Sequence, residues 1–310
     1  MTRVLPPDER GLGLAAAILA DGGLVAFPTE TVYGLGADAR DGRAVAAIYE
    51  TKGRPRFNPL IVHVSSLHAA NKYAEIDGPL HILAEAFWPG PMTLVAPVKH
   101  GLLSELVTAG LETVAIRVPA HPVAREILDR FDGPVAAPSA NPSGRISPTR
   151  AEHVLAHLDG KIDAVVKAGP CQVGLESTII GIEDQKPILL RPGGLPVEVV
   201  EQALGREVTR PSTKTVTAPG QLESHYAPRA KLRLNATSPT PGERWLGFGP
   251  DRFDGANLSP NGDLREAAAQ LFRMLHELDE GAKIAVARIP DEGIGRAIND
   301  RLRRAAAPRD

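Results

Sequence analysis

Cysteine is nearly missing. One residue, Cys171, excludes disulfides within the chain and any zinc or iron–sulfur site built from several thiolates. It stands in the turn-like run Ala168-Gly169-Pro170-Cys171 with no base beside it, so an inert thiol is expected. Aromatic residues are scarce, at 4% of 310, so the cores must be built from Ala, Val, Leu and Ile. Neither sign of charge dominates; a formal net charge of -2 argues against a protein that coats nucleic acid through bulk basicity. No apolar run is long enough to span a bilayer. The early one, residues 12–20, lies between Asp8-Glu9-Arg10 and Asp21-Gly22-Gly23 and suits an amphipathic helix better than a signal peptide. A cytoplasmic protein with no membrane partner is expected. Also missing are a Gly-x4-Gly-Lys-Ser/Thr loop, a Gly-x-Gly-x-x-Gly turn, a Gly-x-Ser-x-Gly elbow and His-Glu-x-x-His. Any nucleotide handling must use another design.

What is present alternates. Within residues 1–205, strand-like runs at 24–27, 60–64, 92–98, 113–118, 134–137, 164–167, 177–182 and 188–190 interleave with helical stretches at 42–51, 67–73, 79–87, 122–130, 149–158 and 197–204. This pattern predicts a layered α/β domain with one twisted sheet flanked by helices. Strand directions should be mixed, because several connections are too short for a crossover helix. Residues 206–228, rich in Pro, Thr, Ser and charge, read as an extended connector. Residues 229–310 read as a second, smaller, Rossmann-like α/β unit, with strands at 244–248 and 283–287 and helices at 264–278 and 294–304.

Polar clusters fall at the predicted strand ends, where open α/β sheets hold ligands. Phe27-Pro28-Thr29-Glu30-Thr31-Val32-Tyr33-Gly34-Leu35-Gly36 reads either as a plain turn or as a hydroxyl-rich ligand loop. Lys52-Gly53-Arg54-Pro55-Arg56 is either a solvated charged loop or a cradle for polyphosphate. His63 inside an apolar strand is either a core histidine or a ligand contact. Arg117, also inside an apolar strand, needs an anionic partner, which is either an internal carboxylate or a substrate carboxylate. Ser139 and Asn141, Glu176-Ser177-Thr178 and Arg191-Pro192-Gly193-Gly194 continue the theme. Together they describe cations and hydroxyls with no obvious protein nucleophile, which suits nucleotidyl chemistry by positioning and electrostatics.

These residues carry a resemblance. The runs from Phe27 to Gly36, Lys52-Gly53-Arg54-Pro55 with Asn58-Pro59-Leu60, and Pro138-Ser139-Ala140-Asn141-Pro142-Ser143-Gly144 are similar to those of the YrdC-like family. His225-Tyr226-Ala227-Pro228 and the small C-terminal unit match its longer, two-domain threonylcarbamoyl-AMP synthase branch. Ala218-Pro219-Gly220-Gln221 is looser than that branch's usual linker start. The resemblance implies an enzyme that makes threonylcarbamoyl-AMP and pyrophosphate from ATP, L-threonine and bicarbonate, with Mg²⁺ accompanying ATP, for a tRNA modification next to the anticodon. It places the family's Lys-x-Arg and Ser-x-Asn signature on Lys52, Arg54, Ser139 and Asn141. It implies ATP contacts from Arg54, Asn58, Thr113, Ser139, Ser147, Arg191 and Tyr226. Threonine contacts are implied from Thr31, His63, Arg117, Ser177 and the backbone of Ala137. Lys52, Arg54 and Arg191 are then the candidate cations for the leaving pyrophosphate, and the connector would close over the site through Tyr226. A hand-over to a tRNA threonylcarbamoyl transferase complex follows as an expected partnership.

Two rivals remain: an RNA-binding or ribosome-associated module, with weak RNA contact, and carbamoyl-phosphate-dependent carbamoyl transfer. The second belongs to larger proteins with cysteine-rich zinc segments, which one cysteine does not supply. In the C-terminal unit, Arg301, Arg303 and Arg304 read as a solvated helix face or a docking patch.

Overall fold

The computed structural model describes residues 1–212, 218–220, 224–280 and 283–308. Of the expected connector, 213–217 and 221–223 therefore lie outside the described residues. In chain order the elements are β1 (Arg3–Leu5), α1 (Glu9–Ala20), β2 (Val25–Pro28), β3 (Tyr33–Asp38), α2 (Gly42–Lys52), β4 (Ile61–His63), α3 (Leu67–Ala70), α4 (Gly78–Phe87), β5 (Met92–Pro97), α5 (Glu105–Thr108), β6 (Thr113–Arg117), α6 (Pro122–Phe131), β7 (Val135–Ala136), α7 (Ala151–Leu158), β8 (Ala164–Val166), β9 (Thr178–Glu183), β10 (Lys186–Arg191) and α8 (Val197–Leu204). The second unit comprises β11 (Leu232–Ala236), β12 (Glu243–Gly247), β13 (Ala256–Asn257), α9 (Leu264–Leu278), β14 (Lys283–Ala287) and α10 (Gly295–Ala306).

The large sheet runs β1-β8-β2-β3-β7-β4-β6-β5-β9-β10. Its directions are mixed, as expected: β4 and β6 pair parallel, whereas β7 on one side and β5 on the other pair antiparallel to them. The small sheet, β11-β14-β12-β13, is parallel throughout. Residues 33–38, taken as loop because of Gly34 and Gly36, form β3 instead. Gly36 is required by packing, since a Cβ there would come within 2.7 Å of Phe27 and 2.9 Å of Val135 on the neighbouring strands. The short strands β1, β11 and β13 and the one-turn helix α5 also went unread.

The sheet's two faces are covered differently. Val62 and Ile116 point into a core under α2, α4 and α7. On the opposite face α1 and α6 cover the half of the sheet from β1 to β7, packing on Val25, Phe27 and Val135. Toward β10, Ile61, Ala115, Ile179 and Leu190 are covered instead by Ala218 of the connector. Because strand side chains alternate, His63 and Arg117 lie on that helix-free face, two residues beyond Ile61 and Ala115. Parallel register then sets His63 directly beside Arg117. The second unit's core is continuous with Val32, Ile146, Leu175 and Tyr226, so the two units share one apolar junction.

Candidate active site

A pocket opens on this helix-free face, walled by Thr29, Thr31, Gly34, His63, Arg117, Ala137, Ser139, Glu176, Ser177 and Arg191, with Arg54 and, from the connector, Pro219, Gly220, His225 and Tyr226. Its guanidiniums are buried, so each needs fixed partners. Arg117 Nη2 donates to Glu30, Nη1 to Thr31 Oγ1 (2.9 Å) and Nε to the Gly90 carbonyl (3.2 Å). Glu30 in turn accepts the Ala120 amide at 3.0 Å. Burial alone would raise the Glu30 carboxyl, but the charge and hydrogen bonds of Arg117 outweigh it and hold it below the usual range. Arg117 thus has its anionic partner inside the protein. Glu30 is a residue that the sequence contains in plain view but does not pair with a strand 87 positions away.

Arg54 and Arg191 are held differently. Gly53 ends α2 in a left-handed conformation (φ 58°), which turns the chain so that Arg54 follows the helix as a bracket. Arg54 Nη2 donates to Asn58 Oδ1 and the Pro59 carbonyl, both at 2.8 Å. Arg191 donates from Nη2 to the Ser177 carbonyl (2.9 Å) and Oγ (3.1 Å), and from Nη1 to the Pro219 carbonyl (3.2 Å). Among the described residues no carboxylate bonds either guanidinium, so their charge remains available to a ligand. Burial lowers Arg54 to about 10, which leaves it cationic at neutral pH. His63 falls to about 3 through burial and then the charge of Arg117, so it is a neutral imidazole.

Unsatisfied atoms point the same way. The buried side-chain atoms without a partner, among the described residues, are Asn58 Nδ2, His63 Nδ1, Asn141 Oδ1, His225 Nδ1, Tyr226 Oη and Arg301 Nη2. Three belong to the pocket wall, and Asn58 and Arg301 bond directly to wall residues. Buried polar atoms are rarely left so, and a ligand's polar groups would satisfy them. Tyr226 also holds a positive φ of 61°, costly for a non-glycine residue and a pointer to function. Its neighbours fasten it on both sides: Ala227 N donates to the Gly144 carbonyl (2.8 Å), and His225 N to the Arg304 carbonyl (3.2 Å) on α10.

Comparison with known proteins agrees with this architecture. Residues 17–193 match the Sua5/YciO/YrdC family, described as telomere recombination, and residues 195–307 match the threonylcarbamoyl-AMP synthase C-terminal domain. The threonylcarbamoyl-AMP synthase of Pyrococcus abyssi is 40% identical, over 97% of this chain and 96% of its own. That of Bacillus subtilis is 40% identical over 100% and 96%. The chain belongs to the threonylcarbamoyl-AMP synthase family. The crystal structure of P. abyssi Sua5 complexed with L-threonine superposes with a TM-score of 0.90 at 37% identity, covering 99% of this chain and 97% of that one.

Against the contacts that the family implies, the pocket gathers Thr31, His63, Arg117, Ala137, Ser177, Ser139, Arg54, Arg191 and Tyr226 in its wall. Lys52 is not among them. Its Nζ donates to the carbonyls of Ser139 (2.6 Å) and Asn141 (2.5 Å), so it braces the Ser139–Asn141 turn from behind rather than facing a phosphate. Burial and then the charge of Arg54 push its ammonium well below the usual lysine range. Asn141 likewise ties its own loop, donating to the carbonyls of Pro142 and Arg145, both at 2.9 Å. Asn58 stands behind Arg54, and Ser147 donates to Glu176 Oε1 at 2.5 Å. Thr113 begins β6, at the end of the strand away from Arg117, and does not line the pocket. The largest correction is Arg301, expected on a solvated face or in a docking patch. It is fully buried, donating to Glu176 Oε2 (2.7 Å) and the Pro192 carbonyl (2.9 Å). Cys171 is buried and its thiol pushed up by burial, which suits the inert thiol expected.

Proposed function

We propose that this chain joins L-threonine, bicarbonate and ATP into threonylcarbamoyl-AMP and pyrophosphate. One observation carries the reading: a single pocket holds an acid-paired arginine beside a neutral histidine, and two arginines without acid partners, of which Arg191 also bonds Ser177. The first group suits an amino acid, its carboxylate on Arg117 and its hydroxyl or amine near His63 and Ser177. The second suits a triphosphate on Arg54, Arg191, Ser139 and Tyr226. Threonine's amine and bicarbonate give a carbamate and water. A carbamate oxygen attacks the α-phosphorus, the bond to the bridging oxygen breaks, and pyrophosphate leaves. No protein nucleophile is needed; the fixed guanidiniums stabilise charge that moves to the leaving group.

Mg²⁺ is proposed as a companion of the triphosphate alone. Among the described residues no group of three or more acids, histidines or cysteines fits a metal, and Glu30 and Glu176 are both engaged by arginines. With the connector in place the pocket encloses about 50 Å³, far below the roughly 300–1,000 Å³ of ordinary ligand sites. ATP entry therefore requires Tyr226 and its neighbours to lift, and their return would shield the mixed anhydride from water. Transfer of the threonylcarbamoyl group to tRNA by a partner transferase is the proposed fate of the product. Among the described residues no helix is long and apolar enough to cross a membrane.

Mass spectrometry of reactions supplied with ATP, Mg²⁺, bicarbonate and each amino acid in turn tests the proposal. A threonine-dependent adenylate, formed one to one with pyrophosphate, is expected. Product formed equally well without threonine, or from carbamoyl phosphate instead of bicarbonate, overturns it.

A further inference from the structure

The deepest cation near the pocket comes from the other unit. Arg301 lies on α10, yet its side chain crosses the junction into the catalytic domain and is wholly buried there. Its Nε bonds Glu176, whose other oxygen holds Ser147. Its Nη1 bonds Asp300 (2.8 Å) and the carbonyl of Pro192, the residue directly after Arg191. Its guanidinium carbon stands 5.0 Å from the centroid of the Tyr226 ring, which rests on Phe272 at 5.6 Å. A charged guanidinium over an aromatic face is attractive and strongest where water is excluded. Arg301 thus touches, or holds through Glu176, the three elements proposed to meet the nucleotide: Ser147, the Arg191 turn and the Tyr226 lid. None of its contacts reaches His63, Thr31 or Arg117.

We infer that Arg301 is a positioning residue for ATP, and that the C-terminal unit acts in catalysis by lending this side chain. It neutralises Glu176, a carboxylate in the wall of a pocket meant for polyphosphate, and fixes the tyrosine that closes it. Unpaired, Glu176 would repel the phosphates and leave Ser147 without its anchor. The turn is tight here: a Cβ at Gly193 would lie 2.4 Å from the Glu176 carbonyl oxygen, so the turn beside Arg191 packs directly on the backbone of the residue whose carboxylate Arg301 holds.

This inference rests on the proposed reaction, so the full-length wild-type enzyme is the first control. A wild type that makes no threonylcarbamoyl-AMP defeats the reaction itself, whereas a working wild type with an indifferent variant defeats only the role of Arg301. In Arg301→Met the KM for ATP should rise by about 10-fold or more while that for threonine changes by less than about 3-fold. Arg301→Lys, which keeps charge but loses the fork, should fall between. The double variant Arg301→Met/Glu176→Gln should recover much of the ATP affinity, because the buried Glu176 charge is then not stranded and Asp300, the other carboxylate on Arg301, keeps Arg304. Arg303→Met, exposed and two residues away, should match wild type. ATP and threonine KM values rising together, or threonine binding lost by calorimetry, would make Arg301 only a fold element and overturn the inference. A double variant no better than Arg301→Met would overturn the route through Glu176.

Discussion

Two groups of arginines in the pocket are held by opposite means. At the proposed threonine contact Arg117 is matched by a carboxylate, Glu30, itself anchored to a backbone amide. At the proposed nucleotide contacts Arg54 and Arg191 rest on neutral carbonyl, amide and hydroxyl oxygens. An amino acid brings one negative and one positive group, so a nearly neutral site with one oriented fork is sufficient for it. A triphosphate brings several negative charges, and acid-paired arginines would answer it poorly. On the proposed reading, one buried face serves two ligands because partner chemistry, not arginine count, sets the local field.

The comparison breaks most severely at Glu30. Glu30→Gln leaves Arg117 buried without an anion, and loss of one partner of a buried pair costs about 3–5 kcal/mol. Urea unfolding should show that loss, together with a raised KM for threonine. A variant of wild-type stability would mean that Arg117 finds another anion. Arg191→Met leaves only neutral groups unpartnered, so its stability loss should be smaller. Its effect on rate should be large, about 10²–10³ or roughly 2–4 kcal/mol of barrier, seen as threonine-dependent pyrophosphate release. Threonine binding by calorimetry should weaken far less, by no more than the lost bond from Arg191 to Ser177 Oγ, about 0.5–1.5 kcal/mol.

Acid should separate the pocket from the junction. His153 on α7 stacks on His276 of α9 at 4.1 Å, at the seam between the units. Burial lowers them to about 4 and about 3, and His63 also to about 3. Their unfolded values lie near 6.5, so between there and pH 4 the unfolded chain binds more protons and stability falls with falling pH. The steepest slope is about 1.4 kcal/mol per pH unit for the fully buried His63, and less for the partly exposed His153 and His276. The stability given by Glu30 and Glu176, whose carboxyls are lowered, persists above pH 4.5 and is lost only below it. Urea midpoints at pH 7.5, 6 and 5 should decline well before the carboxylates titrate. His153→Phe, which keeps a ring in the stack, should flatten the decline. An unchanged slope would assign it to other groups.

Much of this was legible in the sequence. Arg117 and His63 stood out because a charged or polar residue in an apolar strand demands a partner, and strand alternation then places both on one face. The motifs from Phe27 to Gly36 and from Pro138 to Gly144 indicated where loops would converge. What escaped were contacts set by distance in space. Nothing local ties Glu30 to Arg117, and nothing marks Lys52 as a backbone brace rather than a phosphate ligand, since both uses need the same ammonium. Arg301 did leave a signal. It lies three and four residues after Ile298 and Ala297, and four before Ala305, on the stripe that buries α10. Arg303 falls off that stripe and is exposed. A cation on the apolar stripe of a helix deserved the same suspicion as Arg117 in its strand.

The smallest expected effect decides how far the nucleotide end extends. Thr113 lies four residues before Arg117, roughly 13 Å along β6 at 3.3 Å per residue. Pairing of Ala115 with Ile61 sets it beside the chain entering β4, next to the Asn58-Pro59 turn that Arg54 brackets. Its hydroxyl makes no bond within the protein among the described residues, and the closed pocket is too small for a whole nucleotide. If the nucleoside reaches past Arg54 along this edge, Thr113 supplies one hydrogen bond, worth about 0.5–1.5 kcal/mol or roughly 2- to 10-fold in affinity. Thr113→Val should weaken ATP binding by that much and leave threonine binding untouched. Unchanged ATP affinity would confine the nucleotide to the cavity beneath Tyr226, and the lid would then have to open wide enough to admit it whole.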